Sequence, residues 1–244
     1  MTPHVAPQLE GRVIAVTGTS KGIGRGIAQR LIDAGASVVG AARTEPARGT
    51  FGERYVHLPF ELRRDSADRL LDAALEAFGR VDGLVNNAGV NHFADCWMQS
   101  DEELDDMIAV NLTAPFRLSQ AFARHWAAER APGVVLNICS VESQVAWPKP
   151  GQAGYAATKG ALLALTRAMA LDLAAHGIRV VAIGPGVIDS EMTPTESDAA
   201  PRIPLGHASG SPHDVGDAAV FLLSSAARYI TGEILYVDGG YLVP

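Results

Sequence analysis

The stretch Arg12-Val13-Ile14-Ala15-Val16-Thr17-Gly18-Thr19-Ser20-Lys21-Gly22-Ile23-Gly24 decides how the rest of the chain reads. Residues 12–17 form a short, β-branched apolar run, the mark of a strand buried on both faces. Glycines follow at 18, 22 and 24, and a helical pattern covers residues 23–33 until Gly35 stops it. A strand that turns on glycines into a helix can present backbone N–H groups and a helix N-terminus to a phosphate. Gly18 makes the tight turn, Gly22 lets the backbone approach a pyrophosphate, and Gly24 lets the helix pack against the sheet. The spacing is not that of G-x-G-x-x-G, but the physical demands are the same.

Outward from this turn the same alternation continues. Strand patterns fall at residues 37–41, 55–58, 83–86, 134–138, 179–183 and 234–237. Helical patterns cover residues 66–78, 100–130, 154–175 and 214–225. Ser100 and Glu103 form a capping box that opens the long second of these, and Pro115 inside it predicts a bend just before the proline. Several strands are apolar on both faces, as in a parallel sheet covered by helices on each side. The expectation is an α/β fold: a doubly wound parallel sheet of about seven strands. Residues 1–10 read as a lead-in, and residues 11–244 as one domain without repeat or linker.

Composition narrows the function. The net charge of −7, with no basic run, argues against nucleic acid and against a polybasic membrane contact. Cys96 and Cys139, both in apolar sequence settings, make no disulfide framework, which fits a reducing, cytoplasmic location. No apolar run reaches bilayer length, and residues 1–10 lack a signal-peptide pattern. No metal site is expected: His92 has no partner ligand at the right spacing.

Two further motifs carry chemistry. Tyr155 and Lys159 in Gly154-Tyr155-Ala156-Ala157-Thr158-Lys159 share one face of a helix. An ammonium beside a phenol stabilises phenolate and predicts a pKa below the ordinary value of about 10. Such a tyrosine can exchange protons with an alcohol or carbonyl. Asn86-Asn87-Ala88-Gly89 follows the fourth strand at the C-terminal sheet edge, where ligands bind in open α/β sheets. By itself each motif has a bland alternative, an Asn/Gly turn or a lysine stem packed on a ring.

Together these residues resemble the short-chain dehydrogenase/reductase family in its single-domain form. The resemblance runs from Gly11 to Gly240. It takes in Asn111, Ser140, Pro185-Gly186 and the ending Ile230-Thr231-Gly232-Glu233 … Val237-Asp238-Gly239-Gly240. It implies a Rossmann-type NAD(P)-binding fold and hydride transfer between a nicotinamide and a secondary alcohol or ketone. It implies that Tyr155 is the general acid/base and that Lys159 tunes it and holds the nicotinamide ribose. Ser140 polarises the substrate oxygen, and Asn111 holds a water that relays protons to Lys159. Cofactor contacts are implied for Gly18, Ser20, Lys21, Gly22, Ile23, Gly24, Arg43, Glu61, Leu62, Asn87, Ala88 and Gly89. Tyr155, Lys159, Pro185, Gly186, Val187, Ile188 and Ser190 complete that set. The family's tetramer, built on the helices from Ser100 and Gly154, is implied as well.

The chain departs from the family pattern in four places. Gly184 stands where asparagine is usual, which predicts a looser turn. Ser190 replaces threonine, Glu61 replaces aspartate, and the span from Ser140 to Tyr155 is long, with Trp147-Pro148-Lys149-Pro150 inside it. At the end of the second strand Ala42 occupies the site of an acid that would bind ribose hydroxyls, and Arg43 follows. Arg43, with Lys21, favours NADP(H) over NAD(H) by pairing with a 2′-phosphate, and Arg48 or Arg54 could also reach it. Candidates for the substrate wall are Ser140, Asn91, His92, Glu142, Trp147 and Gln152, several of them polar, which points to a small polar substrate. The alternative is that His92 and Glu142 face solvent at the cleft mouth. The short segment after Ser190 suggests an open cleft. Alternatives at this stage are an NAD-dependent alcohol, sugar or dihydrodiol dehydrogenase, an isomerase or dehydratase, and a catalytically silent nucleotide-binding regulator.

Overall fold

Seven strands lie side by side, all parallel: β1 (Val13–Thr17), β2 (Ser37–Ala42), β3 (Tyr55–Pro59), β4 (Gly83–Asn86), β5 (Gly133–Ile138), β6 (Ile178–Pro185) and β7 (Ile234–Val237). Their order across the sheet is β3-β2-β1-β4-β5-β6-β7. Among the described residues, six α-helices connect them: α1 (Gly22–Asp33), α2 (Ala67–Phe78), α3 (Asp101–Ile108), α4 (Ala114–Glu129), α5 (Ala153–Ala174) and α6 (Pro212–Leu223). The structure is a computed structural model and describes residues 8–47, 49–190, 203–205 and 209–243. Arg48 and most of the segment after Ser190, with the cleft reading attached to it, lie outside the described residues.

Alternation along the strands sorts the core into two layers. Ile14 and Val16 of β1, with Val85, Leu136, Val181 and Ile183, face α1 and α6. Ala15, Val39, Leu84, Val135 and Val180 point the other way, onto Leu70 and Leu71 of α2, Phe122 and Trp126 of α4, and Met169 of α5. The largest buried side chain there keeps its polar atom satisfied: Trp126 Nε1 donates to Val81 O at 2.8 Å. The order in which strands are added reverses between β1 and β4, so the loops leaving these two strands diverge and open a crevice at their C-terminal ends. Every candidate motif falls at this edge.

The packed chain begins inside the stretch that the sequence reads as a lead-in. Leu9 is buried in the α1–α6 layer, and its N–H donates to Ala34 O at 3.0 Å. Cys139 is buried, but Cys96 is exposed, contrary to its apolar sequence setting. Among the described residues, no helix is long and apolar enough to cross a membrane.

Candidate active site

The first wall of the crevice is the glycine turn. Gly18 has φ 76° and Gly22 φ 53°, left-handed values that favour glycine. At Gly24 the constraint is space: a Cβ would lie 2.2 Å from Gly18 O and 2.3 Å from Asn87 Nδ2. That close approach lets Asn87 Nδ2 donate to Thr17 O at 2.8 Å. Thr17 Oγ1 accepts from the N–H groups of Asn87 and Ala88, each at 3.0 Å, and so ties the β4 loop to the β1 turn. Thr19 Oγ1 and the Tyr55 hydroxyl hydrogen-bond each other at 2.8 Å beneath the turn.

The second wall comes from β5 and α5. Ser140 caps a short 3₁₀ turn over Val141–Ser143, and its Oγ accepts from Glu142 N at 3.1 Å. Ser143 locks it reciprocally, accepting from Ser140 N at 3.2 Å and donating to Ser140 O at 2.5 Å. The Ser140 side chain stands close enough to Tyr155 to stabilise its phenolate form. Lys159 lies one turn further along α5, buried, with Nζ 5.6 Å from the Tyr155 ring centroid. Its Nζ donates to Ile138 O at 2.7 Å. The structure thus brings together Ser140, Tyr155 and Lys159.

Asn111 arrives by a different device. The long helix is interrupted by a π-helical turn at Ala109–Thr113, just ahead of Pro115, where the sequence predicts a bend. Asn111 Oδ1 accepts from Val90 N, and Nδ2 donates to Val90 O, both at 2.9 Å. Nδ2 also donates to Thr158 Oγ1 at 3.1 Å. The side chain pins the β4 loop onto α5.

Electrostatics overturn one expectation. Burial, and behind it the Glu142 carboxylate, raises the Tyr155 hydroxyl above its ordinary value, while the Ser140 side chain acts against them. The spacing of Tyr155 and Lys159 predicts the opposite direction. Desolvation is the largest cause there, and burial likewise lowers the Lys159 ammonium, opposed by Cys139 and Glu142. Burial pushes the Glu142 carboxyl up to about 7, against the pull of Lys159.

The crevice fits a dinucleotide. The cradle over Gly18, Ser20, Lys21, Gly22, Ile23 and Gly24 opens at the N-terminus of α1, where Lys21 is the N-cap residue. Over Gly89, a Cβ would sit 3.3 Å from Asn111 Oδ1 and 3.6 Å from Lys159 Nζ, so the missing side chain leaves the approach to Lys159 clear. Arg43 is exposed at the end of β2. Glu61 and Leu62 follow β3, with Asp65 Oδ2 accepting from Glu61 N at 2.6 Å. Pro185 ends β6, and Gly186, Val187 and Ile188 run on along the edge, where Ile188 pairs with Gly210. Ser190 backs onto the glycine turn, its Cβ 3.4 Å from the Cβ position of Gly22.

Two sequence expectations fail here. Arg54 cannot reach a cofactor phosphate, because it stands before β3, at the opposite end of the parallel strands, and donates to Gly35 O and Glu10 Oε1. His92 is half-buried, its Nε2 hydrogen-bonded to Asp106 Oδ2 at 2.7 Å, and Arg63 pairs with the same carboxylate. Gly184 does not loosen its turn. A Cβ there would lie 2.4 Å from Cδ1 of Tyr236, its register partner on β7. The tyrosine ring takes the space, and its hydroxyl donates to Gln144 Oε1 at 2.8 Å. Of the other proposed wall residues, Glu142 is buried rather than solvent-facing. Gln152 Oε1 accepts from Asn91 Nδ2 at 2.7 Å, and Trp147 stacks on Tyr241 with centroids 5.6 Å apart.

Sequence reasoning missed Thr17, Ser143, Thr158 and the buried ladder under the site. In that ladder Asn86 Nδ2 donates to Ser119 Oγ and to Asn137 Oδ1, and Asn137 Nδ2 donates to Thr166 Oγ1, joining β4, β5, α4 and α5. The Ser140-x-x-Ser143 spacing could have signalled the reciprocal cap. Nothing local marks the others.

A family model described as enoyl-(acyl carrier protein) reductase matches residues 18–242. The chain is 36% identical over 242 residues to a 3-oxoacyl-(acyl-carrier-protein) reductase of Vibrio cholerae, covering 95% of this chain and 98% of that one. Among solved structures it resembles 3-ketoacyl-(acyl-carrier-protein) reductase from Brucella melitensis complexed with NADH, with TM-score 0.90, 34% identity, and coverage of 96% and 100% of the two chains. It also resembles a gluconate 5-dehydrogenase from Burkholderia cenocepacia in complex with NADP and tartrate, with TM-score 0.88, 32% identity, and coverage of 98% of each chain.

Proposed function

The chain belongs to the short-chain dehydrogenase/reductase family, and on that premise we propose that it is an NADP(H)-dependent oxidoreductase acting on a secondary alcohol or ketone. The observation that carries this reading is the convergence of Ser140, Tyr155 and buried Lys159 at the same sheet edge as the glycine turn. A bound nicotinamide dinucleotide supplies or accepts the hydride. Tyr155 moves the proton at the substrate oxygen, donating in reduction and accepting in oxidation. Its raised proton affinity in the free chain keeps it protonated and ready to donate. Ser140, fixed by Ser143, holds the same oxygen in place. Lys159, anchored on Ile138 O, puts a positive charge behind the tyrosine. Asn111 keeps the β4 loop closed against α5.

The preference for NADP(H) over NAD(H) rests on exposed Arg43 after β2, the absence of an acid at Ala42, and Lys21 in the turn. The chain forms one domain that takes in Leu9, works in the cytoplasm, and forms a homotetramer. α4, with the exposed Phe116, and α5, with the exposed Leu171, would carry that assembly. Light scattering tests that mass.

Tyr155→Phe tests the chemistry. Loss of at least about a hundredfold in kcat, with cofactor binding retained, is the expected result. Turnover as fast as wild type would sink the enzyme reading. Calorimetry with NADP⁺ and NAD⁺ on wild type and Arg43→Ala tests the cofactor, and equal affinities in the wild type would remove the NADP(H) preference.

A further inference from the structure

Among the described residues, two buried hydrogen-bond acceptors on the loops at this edge have no partner: Glu142 Oε2 and Asn91 Oδ1. They stand on the loops after β5 and β4, the same loops that carry Ser140 and the Asn87 turn. Glu142 is only 8% exposed. Its own N–H is bound to Ser140 Oγ, which fixes the residue beside the reacting pair. Its carboxylate acts electrostatically on both Tyr155 and Lys159, yet Oε2 has no hydrogen bond. Asn91 is fixed in a similar way, because its Nδ2 is taken by Gln152, and Oδ1 is the atom left over. Folded chains rarely leave buried polar atoms unpaired, since each forfeits its hydration. Asn91 Oδ1 and the ionised Glu142 Oε2 are acceptors, so both call for donors from a ligand.

We propose that Glu142 is a specificity-determining residue that accepts a hydrogen bond from a substrate hydroxyl adjacent to the reacting carbon, with Asn91 Oδ1 accepting from a second. The substrate class is then a vicinal hydroxy ketone or the corresponding diol, as found in polyols and sugar acids. This rests on the oxidoreductase reading and narrows it. A hydroxyl fits better than an amine, because Lys159 already places a cation in the same space. A plain ketone or a 3-oxoacyl thioester has no donor next to its reacting carbonyl and would seal Oε2 against carbon.

The test compares reduction of 2-hydroxycyclohexanone, cyclohexanone and acetoacetyl-coenzyme A, followed by NADPH absorbance, in wild type, Glu142→Leu and Glu142→Gln. Wild type should prefer the hydroxy ketone over cyclohexanone by at least about tenfold in kcat/KM. The ratio should fall towards one in Glu142→Leu and stay intermediate in Glu142→Gln, which keeps one acceptor. Glu142→Met serves in place of leucine if that variant does not fold. A ratio near one in wild type, or an unchanged ratio in the leucine or methionine variant, overturns the proposal. So does a loss of NADP⁺ affinity alone, which would make Glu142 a cofactor residue. If no ketone is reduced, the oxidoreductase reading fails separately. In that case thermal stabilisation of the NADP⁺-saturated chain by 1,2-cyclohexanediol, absent with cyclohexanol and lost in Glu142→Leu, still supports recognition at Glu142, and equal stabilisation by both alcohols overturns it.

Discussion

Glu142→Gln should make stability less dependent on pH in the neutral range. Burial, opposed by Lys159, moves the Glu142 carboxyl from its ordinary 4.5 to about 7. That change corresponds to about 3 kcal/mol favouring the protonated acid in the folded chain. The folded value lies above the unfolded one, so between them the folded chain binds more protons. The stabilisation is fully present below 4.5 and is lost as pH rises through about 7. Of the total, roughly 2 kcal/mol falls between about pH 5 and about pH 7.5. Glutamine has the same shape and no charge to desolvate, so its profile lacks this fall. Urea titrations of wild type and variant at those two pH values measure the difference. Tyr155 stays protonated throughout the window and does not account for a divergence. Parallel pH profiles would refute the burial of an unpaired carboxylate at this position, and with it the physical basis for donor recognition there.

Gly184→Ala should destabilise the chain by about 1–3 kcal/mol through overpacking against Tyr236. Combining it with Tyr236→Ala should return part of that loss in urea melts, whereas additive losses would show that the two side chains do not compete. Asp82 is buried, which by itself raises its pKa, but hydrogen bonds from Arg80, the Val13 N–H and Arg12 outweigh burial and hold it below its ordinary 3.8. Its contribution is present above that value and is lost as pH falls through the depressed folded one. Asp82→Asn should therefore cost about 2 kcal/mol at neutral pH, with the gap to wild type closing in acid. A gap that stays constant on acidification would count against the ion-pair account.

The features legible in the sequence are those that depend on near neighbours along the chain. Strand and helix order follows from periodicity. The phosphate turn follows from where glycine is needed, and the Tyr155–Lys159 face follows from the helical repeat. The capping box at Ser100 and the irregularity before Pro115 are local in the same sense. Tertiary structure decides what depends on groups far apart in sequence. Asn111 finds Val90 and Thr158, Gly184 meets Tyr236, and Arg54 is carried to the wrong end of the sheet. The proton affinity of Tyr155 belongs to this second kind. The sequence offers a cation at helical spacing, but the direction is set by water excluded when α5 packs against β5 and the Glu142 turn. Spacing fixes which charges are near one another, whereas desolvation depends on everything that surrounds them.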